Sequence, residues 1–371
     1  MKIGTDQYNT FDTMTMDCWN DRVYYEGKEF PAGHFAAEIL NFAGVIHDPL
    51  LERITVLTAL VDDLSTAEKS KRHDIAAQLK PLLHDTVSWL YTCPPFCYCE
   101  SQGAYEDLEY ALSEERLDRD YEEREEHLPF MALSFCEPIL RILVAIYNFC
   151  LLIRAFEKKY LRGSKRRNAD AFAKAAHECF DEDDSFLILL EQMPFGGVEE
   201  FFSYPRVITG FKYFQDENDE EKWKTAQRVI CRRAIDFYVF DLMNGLHHGH
   251  APSQCQGCGR YFLTTNGHIP KYCDGIAPQD SRYTCRQYGA MMHQKEQNKQ
   301  HPVYRLFNTR TGTIRKHHQR GKISDDLRRE ALYLAERYRD KALMDNDYAA
   351  DGYAWDMELE HIYAEAEKRL K

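Results

Sequence analysis

The 371-residue sequence begins without an apolar leader. Met1 to Asn20 contains no run that could act as a signal h-region, so no secretory signal is expected. Long hydrophobic runs are missing too. The most apolar stretch, Ile142 to Ile153, is a dozen residues flanked by Arg141 and Arg154. A membrane span needs about twenty, so this stretch is expected to be a buried core helix, with no membrane partner. Catalytic signatures are absent as well: there is no P-loop, G-x-S-x-G, H-E-x-x-H or G-x-G-x-x-G, and His177-Glu178 lacks a second histidine. No catalytic residue can be named, and a binding role is favoured over an enzymatic one. A nuclease or other hydrolase stays open as an alternative, because folding could bring together carboxylates from the 60 Asp and Glu.

What is present is ample hydrophobic and aromatic material, 44% and 13%, which excludes a mostly disordered chain. The length suggests about two to three domains. Helical spacing of three and four recurs in Ala36, Ile39, Leu40, Ala43 and Ile46. It recurs again in Leu51, Ile54, Leu57, Leu60 and Val61, and in Ala76, Leu79, Leu83, Val87 and Leu90, where Pro81 is expected to break or kink the helix. Leu128 to Leu161 reads as a central helix, and Ala171 to Phe180 and Phe186 to Gln192 as shorter ones. Met193 to Gly197 reads as a turn. Glu220 to Leu246 again has helical spacing. Short strands or irregular structure are expected only before about Lys28. Glu106 to Glu126, with 11 acidic residues against 3 Arg, reads as a solvated helix or acidic linker. The fold class expected is therefore mainly α, with residues 1–250 forming a helical domain.

Twelve cysteines are many for a chain without a secretory signal. Cys18, Cys136, Cys150, Cys179 and Cys231 are isolated and read as small core residues. Cys255, Cys258, Cys273 and Cys285 are different. Their spacing, C-x2-C-x14-C-x11-C, supplies the four thiolates of a closed structural zinc site, and a reducing cytoplasm is inferred. Gly259 suits the turn after the second cysteine. Tyr261 and Phe262 suit a hairpin turning at Thr264 to Gly267, and Arg286 to Lys299 suits a helix led by the last ligand. That arrangement gives a treble-clef or zinc-ribbon-like module over residues 251–300. His268 and His293 are alternative ligands for it. Cys93, Cys97 and Cys99, with His84 as a conceivable fourth ligand, and His247, His248 and His250 are weaker metal candidates. They are read first as a packed Pro-rich loop and a polar helix end.

Charge is unevenly distributed. The net charge of −13 divides into −17 for residues 1–250, +8 for 251–345 and −4 for 346–371. The first figure alone would argue against a polyanionic partner; the division removes that argument. Arg305, Arg310, Arg315, Lys316, Arg320 and Lys322, with Tyr304 and Phe307 between them, are expected to contact nucleic-acid phosphates. DNA and RNA are not distinguished. The competing reading is a protein-interaction adaptor whose basic island docks on an acidic surface. Residues 301–371 would hold this segment and the last helices, while the N-terminal domain is expected to engage a protein partner.

Cys255-x2-Cys258-Gly-Arg-Tyr-Phe262, Lys271-Tyr-Cys273, Thr284-Cys285-Arg286-x2-Gly-Ala290 and Arg320-Gly-Lys-Ile-Ser324 together resemble an uncharacterised bacterial family, found mainly in Firmicutes. The cysteine pattern is similar to that of the CGNR-type zinc fingers of bacterial regulators, but Cys285-Arg286 stands where those fingers have Cys-Gly-Asn-Arg. The resemblance covers Cys255 to about Asp340. It implies zinc, and suggests nucleic-acid contact in regulation or in a mobile-element or phage-defence setting.

Overall fold

Three short strands near the N-terminus are rich in aromatic and β-branched residues: β1 (Met14–Trp19), β2 (Arg22–Tyr25) and β3 (Lys28–Pro31). The β2–β3 turn is two residues long, Glu26 and Gly27. Both have positive φ, as a type I′ hairpin turn requires. The computed structural model describes residues 13–42, 49–118, 129–164, 166–186, 205–216, 219–265 and 271–370. By its contacts the chain divides into two compact units, residues 1–271 and 272–371.

In the first unit, helices α1 (His34–Glu38), α2 (Pro49–Thr66), α3 (Lys69–Leu90), α4 (Gln102–Ala111) and α5 (Glu114–Leu117) are followed by α6 (Phe130–Phe156) and α7 (Ala169–Phe180). Then come β4 (Val207–Asp216), β5 (Asp219–Cys231) and α8 (Ala234–His247). Helix α6 packs against α2 and α8, burying Ile139, Leu143, Ile146, Phe149 and Ile153. Together with the turn that follows, Met131–Leu161 is long and apolar enough to cross a membrane, yet most of it is buried inside this unit. Helix α3 runs through Pro81 unbroken. Leu79, Leu83 and Val87 are buried on either side, whereas Pro81 and Ala77 are exposed, so water can reach the carbonyl that the ring leaves without a donor. The five isolated cysteines are all buried, and burial pushes the thiols of Cys18, Cys136, Cys179 and Cys231 up to about 12.

The helical expectation for residues 1–250 is corrected in part: the short strands expected before about Lys28 belong to a five-stranded antiparallel sheet of order β3-β2-β1-β5-β4. Residues 219–231 are its longest strand, not the start of a helix; the helix begins at Ala234. Val229 and Ile230 fit a helical stripe by spacing. In the fold they pair with Met16 and Thr15 on one side, and with Thr209 and Ile208 on the other. Trp223, placed on the buried side of that stripe, is 67% exposed. Pairing with β4, and with β1 some 200 residues away, overrode the local spacing. Phe186 is buried after the end of α7; Leu187 to Gln192 and the Met193–Gly197 turn lie outside the described residues.

Helices α1 and α8 approach so closely that a Cβ on Gly245 would lie 2.8 Å from the Gly33 Cα and 3.1 Å from the Ala32 carbonyl. The carboxylate of Asp241, fully buried in α8, accepts the N–H groups of Gly33 and Ala36, each at 2.9 Å. Burial pushes this carboxyl up to about 6, against the pull of the Ala36, Gly33 and Phe35 amides. The native state thus holds this proton more tightly than the unfolded chain. The associated stability is full below the ordinary value of 3.8 and is lost as pH rises through about 6. Relative to Asp241→Asn, the wild type should gain about 1–3 kcal/mol between pH 7 and pH 5 in urea unfolding. A wild-type-to-variant difference that is flat over that range would refute it. Gly245→Ala meets backbone on both sides, so it should cost about 2 kcal/mol or more in the same assay.

Candidate metal centre

A short hairpin carries the first two candidate ligands. Strands β6 (Ala251–Gln254) and β7 (Tyr261–Thr264) pair antiparallel, and Cys255 to Arg260 form the loop between them. The hairpin expected from Tyr261 and Phe262 is present, but its partner strand precedes it, and the cysteine loop is its turn. Within the loop Gly259 N–H donates to the Cys255 carbonyl at 2.9 Å, and Cys255 N–H to the Arg260 carbonyl at 2.8 Å. Gly259 has φ 76°, a left-handed conformation that a residue with a Cβ rarely adopts. The Gly257 N–H points at Cys255 Sγ, 3.4 Å away, a contact suited to a thiolate.

Side chains distant in sequence fix this hairpin within the first unit. Asn41 grips the Tyr261 backbone twice: its amide donates to the Tyr261 carbonyl at 3.0 Å, and its Oδ1 accepts the Tyr261 N–H at 2.7 Å. The buried Arg167 donates to the Pro252 carbonyl at 3.4 Å and to Thr264 Oγ1 at 3.1 Å. Neither residue could be singled out from sequence, since nothing local marks a partner 220 or 97 positions away.

The other two candidate ligands flank strands β8 (Ile276–Ala277) and β9 (Asp280–Thr284). Arg286 N–H donates to the Cys273 carbonyl at 3.1 Å, and Cys285 N–H to the Gly275 carbonyl at 2.7 Å. Cys285 is the first residue of α9 (Cys285–Gln300), as its sequence position suggested.

The Sγ atoms of Cys255, Cys258, Cys273 and Cys285 lie within 4.8 Å of one another; three of these cysteines are buried and Cys258 is half-buried. Four sulfurs about 2.3 Å from a central ion would be about 3.8 Å apart, so the donor set and its spread fit a tetrahedral metal ion. Among the described residues, no other group of three or more His, Cys, Asp or Glu converges in this way. Exposed His293 is not in the cluster, and His268 lies outside the described residues. The Cys93–Cys99 loop packs instead: the Cys93 thiol donates to the Trp89 carbonyl, Cys99 meets the Tyr25 hydroxyl at 3.3 Å, Cys97 is exposed, and His84 lies against Tyr105. His250 is buried against the Ala32 carbonyl at 2.9 Å, with His247 and His248 at the end of α8.

The six basic residues lie on and just beyond α10 (Pro302–Gln319), which precedes α11 (Asp325–Met344), α12 (Tyr353–Asp356) and α13 (Leu359–Leu370). These helices share a core of Val303, Ile314, Leu334, Tyr353, Met357 and Ile362. Arg305, Arg315, Lys316, Arg320 and Lys322 are exposed and Arg310 is half-buried.

Residues 203–369 match a family of unknown function, DUF6076. The match is longer than the resemblance carried by the cysteine motifs. It takes in β4, β5 and α8, but not the β1–β3 strands that complete their sheet. Neither the curated proteins nor the solved structures gave a match. If the four thiolates hold a metal, the purified chain should carry about one ion per molecule by elemental analysis. Cys273→Ser should lose it and unfold far more easily, since such sites contribute on the order of 10 kcal/mol to isolated modules. Cys97→Ser should lose neither metal nor stability. Equal metal content in the two variants would remove the site.

Proposed function

We propose that Cys255, Cys258, Cys273 and Cys285 hold a structural zinc ion in a treble-clef-like module, and that the helices following it present cations to nucleic acid. Four thiolates favour zinc over the hard cations, which take oxygen ligands. A closed four-sulfur site leaves no open coordination position, so the ion would act in folding and not in a reaction. Thiolates also need a reducing compartment, which fits the cytoplasm. In this reading residues 1–250 form a body available to a protein partner, 251–300 the metal module and 301–371 the contact surface.

One observation carries the nucleic-acid reading. Arg305, Arg315, Lys316, Arg320 and Lys322 are exposed, and no described carboxylate pairs with any of them or with Arg310. Several other cations of the same unit are paired: Arg282 with Asp280, Arg286 with Asp274, Arg328 with Asp325, Arg329 with Asp326, Arg339 with Asp340 and Arg369 with Glu330; Arg337 and Lys341, like the α10 cations, have no described carboxylate partner. At about 100° per residue, Arg305, Lys316 and Arg320 fall within about 60° of each other. They lie opposite the stripe of Val303, Phe307 and Ile314 that faces the core. Unpaired cations on one face, with no acidic residue between Glu296 and Asp325, suit a run of phosphates.

Binding to a 20-base-pair duplex or to single-stranded RNA, measured by fluorescence anisotropy, should weaken with salt. On the duplex, log K should fall by about 0.9 per phosphate neutralised. Arg315→Glu with Lys316→Glu should reduce that slope by about two phosphates' worth. Affinity that does not depend on salt, or an unchanged slope in the double variant, would overturn the reading. Capture of an acidic protein that survives nuclease treatment would point to the adaptor instead.

A further inference from the structure

The open end of the β4–β5 hairpin brings like charges together. The last paired residues are Val207 and Cys231. Arg206 and Arg232 follow immediately on either strand, and Arg233 comes next, as the N-cap of the 14-residue α8. All three arginines line one cavity of about 410 Å³, together with Val207, Ile208 and Asp236. Among the described residues Asp236 is the single acid there, and it is already engaged. Arg233 donates to both of its oxygens, at 2.7 and 2.8 Å, and the Arg206 main-chain N–H donates to Oδ1 at 3.1 Å. Among the described residues, no carboxylate pairs with the Arg206 or Arg232 side chain.

Like charges facing each other across a strand pair destabilise it unless a counter-charge is shared between them. Among the described residues, three guanidinium groups stand against one carboxylate in the cavity, a positive balance to which the N-terminal end of α8 adds. Planar guanidinium forks match the oxygens of a phosphate. The volume exceeds what a bare anion fills and is in the range of small-ligand clefts, about 300–1,000 Å³. Val207 and Ile208 offer an apolar wall to an organic moiety.

We propose that this cavity binds a small phosphomonoester, with Arg206 and Arg232 holding the phosphate, Arg233 kept in place by Asp236, and Val207 and Ile208 against the organic part. The site uses none of the α10 cations and does not rest on the nucleic-acid reading.

Calorimetry on the full chain at constant ionic strength, with inorganic phosphate, AMP and adenosine as probes, tests it. Phosphate and AMP should bind saturably, AMP more tightly, and adenosine should not bind. Arg206→Gln with Arg232→Gln should weaken AMP by about tenfold or more, with an unchanged circular-dichroism spectrum. Arg232→Lys, which keeps the charge and loses the fork, should lose less. Arg315→Glu with Lys316→Glu should leave AMP binding intact. The proposal is overturned if neither phosphate nor AMP binds saturably to the wild type, or if Arg232→Lys and the folded Gln variant bind AMP as well as the wild type does. It is also overturned if an oligonucleotide without a terminal phosphate displaces AMP at equal concentration, since a chain phosphodiester would then be the ligand.

Discussion

A hairpin of four residue pairs cannot hold its shape alone in water, and the loop that aims Cys255 and Cys258 at one point is the turn of such a hairpin. Its order is borrowed from the first unit. Asn41 satisfies both backbone groups of Tyr261, and Arg167 bridges Pro252 and Thr264 across the two strands. The Leu263 side chain lies against Gly33, a residue fixed in turn by the buried carboxylate of Asp241. A site of four thiolates asks for ligands placed before the ion arrives, because each sulfur that must be found costs chain entropy. The sheet and helices of this unit reduce that cost for half of the donor set.

The second unit handles charge in a different way. Several of its acidic residues pair with cations close by in sequence, as Asp325 does with Arg328 and Asp326 with Arg329. Such exposed pairs add little stability, about 0–1 kcal/mol each. Their larger effect here is on potential: they neutralise α11 while α10 keeps its charge. The apolar residues of both helices meet in a shared core, which fixes the orientation of the unpaired face.

How much of this was legible in the sequence depended on whether the signal was local. The four-cysteine cluster was, because a C-x2-C step and a cysteine at a helix start are short-range patterns; so was the buried helix around Ile142 to Ile153. The sheet was only half legible. Trp19, Tyr24 and Tyr25 pointed to short strands or irregular structure before about Lys28, but β5 was hidden, because Trp223, Ala226, Val229 and Ile230 also satisfy a helical spacing. What decides between the two patterns is pairing on both sides, Val229 with Thr209 of β4 and with Met16 more than 200 positions away. Asn41, Arg167 and Asp241 were illegible for the same reason: a polar side chain says nothing of its partner until the fold supplies one. The arginines of the cavity fall in this class too. Nothing in the sequence singled out Arg206, Arg232 or Arg233; the register of β4 and β5 sets Arg206 and Arg232 side by side.

The two cationic features differ in a way that bears on what each can hold. From Arg305 to Arg320 the helical rise is about 22 Å, at about 1.5 Å per residue. Charges spread over that length are matched by a polymer that repeats its own charge; a single small anion could touch only one or two of them. Arg206, Arg232 and Arg233 converge on one concavity, and a polymer would have to insert a single group there and leave the rest of its charge outside. Dispersed cations favour many weak, salt-sensitive contacts, and convergent ones favour a few geometric contacts that discriminate by shape. Both lie within residues 203–369, so the stretch that matches one family contains a surface suited to a chain of phosphates and a cavity suited to one phosphate.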